Sequence, residues 1–375
     1  MLWCRFGTIG HMKSKIALAL AKSWFANGVA TDVPKSCGVA ARSLEGPFPI
    51  LSVPYFENGS VDFGCLAAQV RFVSKWGCPG AIFGQSNDSV DLLTWEERTN
   101  AFEVCACAAE SLPVVLGLGA NGTNTTHMLE IAAAIERTAA RHPGASICIV
   151  SRPPNDARSQ EDIEAAWDAL GKTVRRAVIM QTHGAKNVPR PTFELMVRLA
   201  KRHPGVFGYI KEEAPGDSAN VRMVEENAAK PAIKNVFSGW GGWQWLYQLR
   251  RCGSGGLITE RVAYAPVLGE IWRAHKAGDE ARLVSAYAMY RLLIDQRNFP
   301  GGLRGYSLYM LQKEGLCRSL VSRQYQHREV TEGGTFGWGE GWKFETVALT
   351  DRQKTELDAL YRDMIRFVSK GDGCR

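Results

Sequence analysis

The chain has 375 residues, of which 45% are hydrophobic, so it can bury one large core or two moderate ones. Its 45 lysines and arginines exceed its 38 aspartates and glutamates, which gives a formal net charge of +7. The basic residues are spread along the chain with only short pairs such as Arg175-Arg176. This distribution argues against a nucleic-acid-binding tract and is at most a weak indication of a small anionic ligand.

The ten cysteines form neither a CxxC pair nor the Cys/His spacing of a zinc site. A reducing compartment is the simplest interpretation, and we expect a cytoplasmic protein. No stretch of the sequence is apolar and long enough to span a membrane. Residues 13–30 contain no acid, and Lys22 interrupts their apolar core. Three interpretations stay open for them: an amphipathic helix packed on the main domain, a signal peptide and an organellar transit peptide.

From residue 47 onward, strand-like and helix-like segments alternate, with prolines and glycines between them as at His142-Pro143-Gly144. The predicted strands are 48–55, 80–84, 113–117, 145–150, 177–181, 206–211, 235–238 and 255–259. The predicted helices that follow them are 61–76, 95–110, 125–141, 160–170, 192–202, 218–227, 243–251 and 266–276. Eight βα units in succession predict an α/β fold, a (β/α)8 TIM barrel over residues 46–278.

The regions on either side of the barrel are predicted to be appendages. Residues 1–45 combine a helix near 13–27 with a linker containing Pro, Gly and Ser, and we predict an N-terminal helical extension. Residues 279–375 contain helical patterns at 280–296, 303–314 and 351–368, which predict a C-terminal helical cap. Between the last two, residues 333–342 are too rich in glycine for a helix and are predicted to form an ordered loop.

The segment Val206-Phe207-Gly208-Tyr209-Ile210-Lys211-Glu212-Glu213 is a β-prone run that ends in a lysine. The carboxyl end of each strand in a parallel α/β barrel faces the active site, so Lys211 would lie in a partly desolvated mouth. Burial would lower its pKa and yield a neutral amine that can attack a ketone and form a Schiff base. The alternative is a structural lysine at a strand end, paired with Glu212 or Glu213.

Three predicted βα loops are rich in glycine and small polar residues: 84–88, 117–126 and 253–260. Loops of this composition can turn backbone N–H groups toward an anion, and Ser86 adds a hydroxyl. Each loop also has an ordinary interpretation. These are a solvated turn at Ser86, a helix cap at Thr123 or Asn124, and a tight strand start at Gly255.

From about Pro47 to Gln326 the sequence resembles the class I, Schiff-base-forming barrel lyases of the dihydrodipicolinate synthase and N-acetylneuraminate lyase superfamily. The resemblance rests on the order and spacing of several motifs and on no single one of them. In chain order they are Val53-Pro-Tyr-Phe56, Gly59-Ser-Val-Asp62, Leu93-Thr-Trp-Glu-Glu-Arg98, Val115-Leu-Gly-Leu-Gly-Ala-Asn121, Gly208-Tyr-Ile-Lys-Glu212 and Gly255-Gly-Leu-Ile-Thr259.

The resemblance implies that Lys211 forms a Schiff base with a 2-oxo acid such as pyruvate, and that no metal or organic cofactor is needed. It also implies that Gln85 and Ser86 occupy the two threonine positions of the family's Gly-Thr-Thr-Gly-Glu carboxylate-binding turn. The eighth-strand motif that ends in Thr259 is expected to contact the substrate. A homotetramer or homodimer is implied as well.

The sequence departs from the family after the fourth strand. The family usually has Thr-Pro-Tyr-Tyr-Asn, with a tyrosine that relays protons, whereas this chain has Ser151-Arg152-Pro153-Pro154-Asn155. Loss of a positioned proton-transfer group costs a factor of roughly 10² to 10⁴ in rate. His183, at the end of strand five, is the predicted replacement, with a solvent-exposed loop histidine as the alternative. Tyr55 is another candidate phenol, and Tyr209 is expected to fill the barrel interior.

Two further residues are assigned to substrate binding. Arg152 is positioned to hold a second anionic group, or else to pair with a neighbouring acid. Trp240, Trp243 and Trp245 cannot share one helical face, and Trp240, nearest the end of strand seven, is predicted to line the site, with the other two in the core.

Together these features predict a lyase or aldolase, with hydratase-aldolases acting on aryl-pyruvate compounds as the nearest subgroup. The alternative is a catalytically altered or inactive paralogue that acts as a ligand-binding scaffold.

Overall fold

The computed structural model describes residues 44–85, 90–119, 123–185, 187–294, 302–325, 342–346 and 349–372. Parallel strands pair in chain order and close into a barrel, with strand eight hydrogen-bonded to strand one. The strands are β1 (Gly46–Ile50), β2 (Ala81–Phe83), β3 (Val114–Gly117), β4 (Ile147–Ser151), β5 (Val178–Gln181), β6 (Phe207–Glu212), β7 (Asn235–Ser238) and β8 (Gly256–Arg261). The predicted (β/α)8 barrel is confirmed.

A helix follows each barrel strand. These helices are α1 (Phe63–Lys75), α2 (Trp95–Ala108), α3 (Thr125–Arg141), α4 (Gln160–Thr173), α5 (Phe193–Arg202), α6 (Ser218–Ala228), α7 (Trp245–Arg251) and α8 (Ala265–Ala277). Local sequence sets several of their starts, because side-chain oxygens cap free backbone N–H groups. Asp62 caps α1, Thr94 forms a capping box with Glu97, and of the two candidates before α3 it is Asn124 that caps.

The interior of the barrel is filled by apolar side chains from alternate positions of the strands. Its members include Phe48, Ile82, Val115, Val150, Ile179, Tyr209, Phe237 and Ile258. Phe48 and Phe237 meet edge to face, with ring centroids 5.5 Å apart. The prediction that Tyr209 fills the interior is confirmed, and Lys211 lies two residues further along the same strand face.

Two predicted boundaries near the barrel mouth are wrong. Strand one was expected to reach Tyr55 but ends at Ile50, and Tyr55 instead forms an isolated antiparallel bridge with Val61. The intervening Pro54 cannot donate a hydrogen bond to a neighbouring strand. Helix α7 starts at Trp245 rather than at residue 243, because a 3₁₀ turn, Trp240–Gly242, precedes it.

The C-terminal region contains the three predicted helices, α9 (Glu280–Ile294), α10 (Gly302–Lys313) and α11 (Asp351–Asp372). The region also contains a strand pair that the sequence analysis did not predict, because β9 (Val321–Tyr325) pairs antiparallel with β10 (Trp342–Thr346). Of the predicted loop at 333–342, residues 333–341 lie outside the described residues, and Trp342 begins β10. Three polar residues follow one another in β9, Val321-Ser-Arg-Gln-Tyr325, so it lacks the alternation that would have separated it from a loop.

Arg323 fastens this antiparallel pair to the barrel. Its side chain is 4% exposed, forms an ion pair with Glu97 of α2, and donates to the carbonyl oxygens of Gly59 and Leu92 at 3.0 Å each. Its guanidinium carbon also lies 4.8 Å from the centre of the Tyr55 ring. The loops that follow β1 and β2 are therefore held by a residue from the far end of the chain.

The predicted N-terminal extension lies outside the described residues, apart from Leu44 and Glu45. Leu44 packs with the barrel interior, and its carbonyl oxygen accepts a hydrogen bond from Asn235 Nδ2 at 2.7 Å. The domain boundaries at residues 46 and 278 stay predictions. None of the helices in the described ranges combines the length and the apolar character needed to cross a bilayer.

Candidate active site

Lys211 lies at the carboxyl end of β6 and points into the mouth of the barrel. It is 4% exposed, and its register pairs it with Gln181 of β5 and Phe237 of β7. The Nζ atom donates a hydrogen bond to Gln85 Oε1 at 3.1 Å. Because Gln85 follows β2, this contact joins two strand ends that are not neighbours in the barrel. Two of the predicted site residues are thus brought together.

Glu213 forms an ion pair with Lys211, with 3.3 Å between Oε1 and Nζ. Its other oxygen accepts a hydrogen bond from the Gln181 side-chain amide. Burial raises the pKa of Glu213, but Lys211, His183 and Gln181 outweigh burial and hold that pKa below its ordinary value. The sequence had suggested Glu213 only as a structural partner of Lys211. Its place two residues after Lys211, on the same strand face, was the signal that could have identified it as a site residue.

The backbone of Glu213 is fixed on both sides. Its N–H donates to Thr182 Oγ1 at 2.7 Å, and its carbonyl oxygen accepts from Trp240 Nε1 at 2.5 Å. The carboxylate is therefore held by its own main chain as well as by its side-chain partners.

Glu212 points to the opposite side of β6, toward the helices. It is 1% exposed and accepts hydrogen bonds from Thr182 Oγ1 at 3.1 Å and from Arg222 Nε at 3.0 Å. Burial and the neighbouring Glu212 charge raise the pKa of Glu226, a second carboxyl beside Arg222, well above its ordinary value. The hydrogen bonds of Glu212 with Thr182 and Arg222 therefore stabilise the side of β6 that faces the helices. Of the two acids considered as partners for Lys211, Glu213 is the one that meets it.

His183 follows β5 and is half-buried, with its ring centroid 5.4 Å from that of Trp240. Burial lowers its pKa; Glu213 opposes this effect, whereas Arg152, Arg190 and Lys211 add to it. The imidazole is therefore neutral near pH 7 and can accept a proton. The structure places it among the charged groups of the mouth, and its catalytic role stays a prediction.

Trp240 occupies the rim between the lysine site and a neighbouring cavity. Its backbone has φ +48°, a left-handed conformation that a bulky residue rarely adopts, and its side chain is 51% exposed. The indole also lines a cavity of about 240 Å³ together with Trp243, Gln244, Gln248 and Glu212. Trp245 is fully buried, as predicted, and Trp243 packs partly buried against the core.

The remaining predicted site residues are less completely described. Arg152 directly follows β4, is 8% exposed, and acts electrostatically on His183. Thr259 lies in β8, where its Cα pairs with that of Pro49. Ser86 lies outside the described residues. Substrate binding by these residues stays a prediction.

The positions where the family has its strand-four tyrosine carry Pro153 and Pro154, both buried directly after Arg152. Tyr55, the other candidate phenol, is 3% exposed and lies beneath the Arg323 guanidinium. Across the ranges that the structure describes, no three His, Cys, Asp or Glu side chains come together in a way that could hold a metal ion.

The fold and the site together define a (β/α)8-barrel protein with a buried amine at the carboxyl end of its sixth strand. No family model matches the chain. Over 285 residues it is 25% identical to 4-hydroxy-tetrahydrodipicolinate synthase of Bartonella bacilliformis, an alignment covering 74% of this chain and 90% of that protein. The corresponding Rhizobium meliloti enzyme is 27% identical over 166 residues, 44% of this chain and 54% of that protein.

Among solved structures, the Ruminococcus gnavus sialic acid aldolase superposes with a TM-score of 0.68 at 16% identity, covering 88% of this chain and 99% of that one. At 25–27% identity the chain is similar in sequence to 4-hydroxy-tetrahydrodipicolinate synthases, and it shares its fold with a sialic acid aldolase. The resemblance carried by the sequence motifs is confirmed.

Proposed function

We propose that the protein is a class I lyase or aldolase that binds a 2-oxo acid as an imine on Lys211. The observation that carries the proposal is the position of Lys211, a buried amine at the carboxyl end of β6 whose Nζ atom lies 3.1 Å from Gln85 Oε1. In a (β/α)8 barrel this end of the strands is where substrates bind. The kinship with named synthases and an aldolase supports the same class of chemistry.

The charges around the mouth favour an anionic substrate. Arg152, Arg190 and Lys211 all act on His183, against one carboxylate, Glu213. A cluster with a net positive charge raises the local concentration of an anionic substrate. The carboxylate of the 2-oxo acid would lie near Gln85, with Arg152 available for a second anionic group.

Once the imine has formed, its nitrogen acts as the electron sink for carbon–carbon cleavage, for condensation or for dehydration. His183, neutral because burial lowers its pKa, is the group we assign to proton transfer at the substrate carbons. This assignment compensates for Pro153 and Pro154, which cannot exchange a proton. No metal or organic cofactor takes part in the proposed scheme.

The aromatic rim favours a substrate with an apolar or aromatic distal part. The Trp240 ring centroid lies 5.4 Å from that of His183, so an aromatic face borders the mouth. Aromatic faces supply large contact areas to planar ligands. An aryl-substituted 2-oxo acid is therefore the substrate we place first among longer oxo acids, consistent with the resemblance to hydratase-aldolases. A cytoplasmic homo-oligomer remains the expectation.

Borohydride trapping tests the proposal. The wild-type protein is incubated with pyruvate and with a panel of longer and aryl-substituted 2-oxo acids, reduced, and analysed by intact mass and peptide mapping. We expect one reduced adduct on Lys211. The variant Lys211→Gln should lose it, whereas Lys172→Gln, a control at a 70% exposed side chain, should keep it.

A second candidate function is a ligand-binding scaffold without turnover. The observation that favours it is the pair Pro153 and Pro154 at the place of the relay tyrosine. Folded wild-type protein that binds a 2-oxo acid but leaves every lysine unmodified after reduction would establish this alternative and refute the imine.

A further inference from the structure

We propose that Glu213 is the proton-transfer residue for Lys211, taking the ammonium proton before attack on the carbonyl and returning it to the departing hydroxyl. This inference rests on the imine chemistry proposed above, and it assigns to Glu213 a catalytic step at the lysine nitrogen. His183 keeps the separate task of moving protons at the substrate carbons.

The geometry brings the two groups within direct proton-transfer reach. Glu213 Oε1 lies 3.3 Å from Lys211 Nζ, and the two side chains are 12% and 5% exposed. Gln181 holds the other carboxylate oxygen. A proton moving between these atoms needs no intervening water, and little solvent competes for it.

The carboxylate is fixed where the lysine reacts. The backbone N–H of Glu213 donates a hydrogen bond to Thr182, and the backbone carbonyl oxygen of Glu213 accepts one from Trp240. These two bonds restrain the main chain on both sides of the residue. Glu212 cannot take this role, because it faces the helices and accepts hydrogen bonds from Thr182 and Arg222 there.

The charge state suits a base. Lys211, His183 and the Gln181 amide hold the pKa of Glu213 below its ordinary value in spite of burial, so the group is an unprotonated carboxylate near pH 7.

The step balances in atoms and charge. The carboxylate accepts one proton from the Lys211 ammonium, and the free amine attacks the carbonyl carbon. A proton passes from nitrogen to oxygen, which gives a neutral carbinolamine. The carboxylic acid of Glu213 then protonates the carbinolamine hydroxyl, the carbon–oxygen bond breaks, and water leaves. The products are a protonated imine on Lys211, one water and the regenerated Glu213 carboxylate beside the new positive charge.

The experiment measures the rate at which Lys211 is modified by pyruvate under excess cyanoborohydride, with peptide mapping as readout. Glu213→Gln, which has the same shape but cannot exchange the proton, should slow adduct formation by about 100-fold. Glu225→Gln, a control at an exposed position of α6, should react at the wild-type rate. In Glu213→Ala, added formate should restore part of the lost rate, because a small carboxylate can occupy the vacated space.

The outcomes separate the two proposals. A Glu213→Gln variant that reacts as fast as wild type overturns the role of Glu213 and leaves the imine standing. A slow Glu213→Ala variant that formate fails to accelerate assigns Glu213 a packing role only, and also overturns it. Absence of a Lys211 adduct on folded wild-type protein overturns both proposals.

Discussion

The interior of the barrel and its mouth are built from opposite kinds of side chain, although they are adjacent on the same strands. Tyr209 ends an apolar interior that includes Phe48 and Phe237, and two residues later Lys211 begins a mouth of charged and amide groups. The interior stabilises the fold by close packing, whereas the mouth keeps polar groups buried beside one another at an electrostatic cost. The difference places apolar packing and buried charged groups in successive layers of one sheet.

The largest effect should come from making the mouth resemble the interior. Lys211→Met removes the amine, so adduct formation on this residue should cease entirely. It also leaves Glu213 buried without its cationic partner, and we expect a loss of about 3 kcal/mol in the free energy of unfolding. Chemical denaturation measures this loss, and Lys211→Met/Glu213→Leu should recover most of it. If Lys211→Met alone is as stable as wild type, the ion pair between Lys211 and Glu213 is screened by solvent.

The converse change opens the interior. Phe237→Ala removes a fully buried ring that packs against Phe48. The cavity should cost about 3–5 kcal/mol of stability, visible as a large drop in the denaturation midpoint. At a temperature where the variant remains folded, the Lys211 adduct should still form. A stable variant that has lost the adduct would show that interior and mouth are coupled.

A smaller effect is expected at the edge of the mouth. His183→Ala should lower turnover by about 10²-fold while the rate of imine formation stays at the wild-type value. Steady-state turnover and borohydride trapping, measured on the same preparation, separate the two steps. Unchanged turnover would remove His183 from the mechanism.

Arg152→Gln tests the positive charge of the mouth. Because Arg152 is assigned to an anionic group of the substrate, we expect KM to rise about tenfold for oxo acids with a second anionic group, with little change for pyruvate. Kinetics with a matched pair of such substrates give the comparison. An equal rise for both would indicate a general rather than a specific electrostatic role.

The smallest effect concerns pH. The pKa of Glu213 in the folded protein lies below its reference value of 4.5, since Lys211, His183 and Gln181 outweigh burial. Its carboxylate therefore stabilises the fold above that reference value, and the contribution is lost as the pH falls through the lowered pKa. Between about pH 6 and about pH 3.5, wild type should lose more stability than Glu213→Gln. Equal losses in denaturation experiments would contradict the shift.

The sequence predicted the barrel because strict alternation of short apolar strands and amphipathic helices is a strong, repeated signal. It did not predict the end of β1, where Pro54 and a local bridge between Tyr55 and Val61 override the β-prone run. It also missed the pairing of β9 with β10, which joins strands that no short turn connects.

At the candidate site, the strand-end position led to the prediction of Lys211 and the family motif to that of Gln85, and the structure brings their side chains within 3.1 Å of each other. The ion pair of Lys211 with Glu213 was foreseen only as an alternative to catalysis. Whether two neighbours on a strand face come into contact depends on partners from another strand, here Gln181 and Thr182 at the end of β5. The left-handed backbone of Trp240, whose indole donates to the Glu213 carbonyl oxygen, was not predicted.

The position of Arg323 has a consequence for biosynthesis. Glu97 and the carbonyl oxygens of Gly59 and Leu92 belong to the first third of the chain, yet all three bind this one residue. A nascent polypeptide on the ribosome presents those loops more than 220 residues before Arg323 is made, since Arg323 and Glu97 are 226 positions apart. The carboxyl end of the barrel thus acquires this bracing only after residue 323 has been translated, and a product terminated earlier retains β1 and β2 without their contact to Arg323.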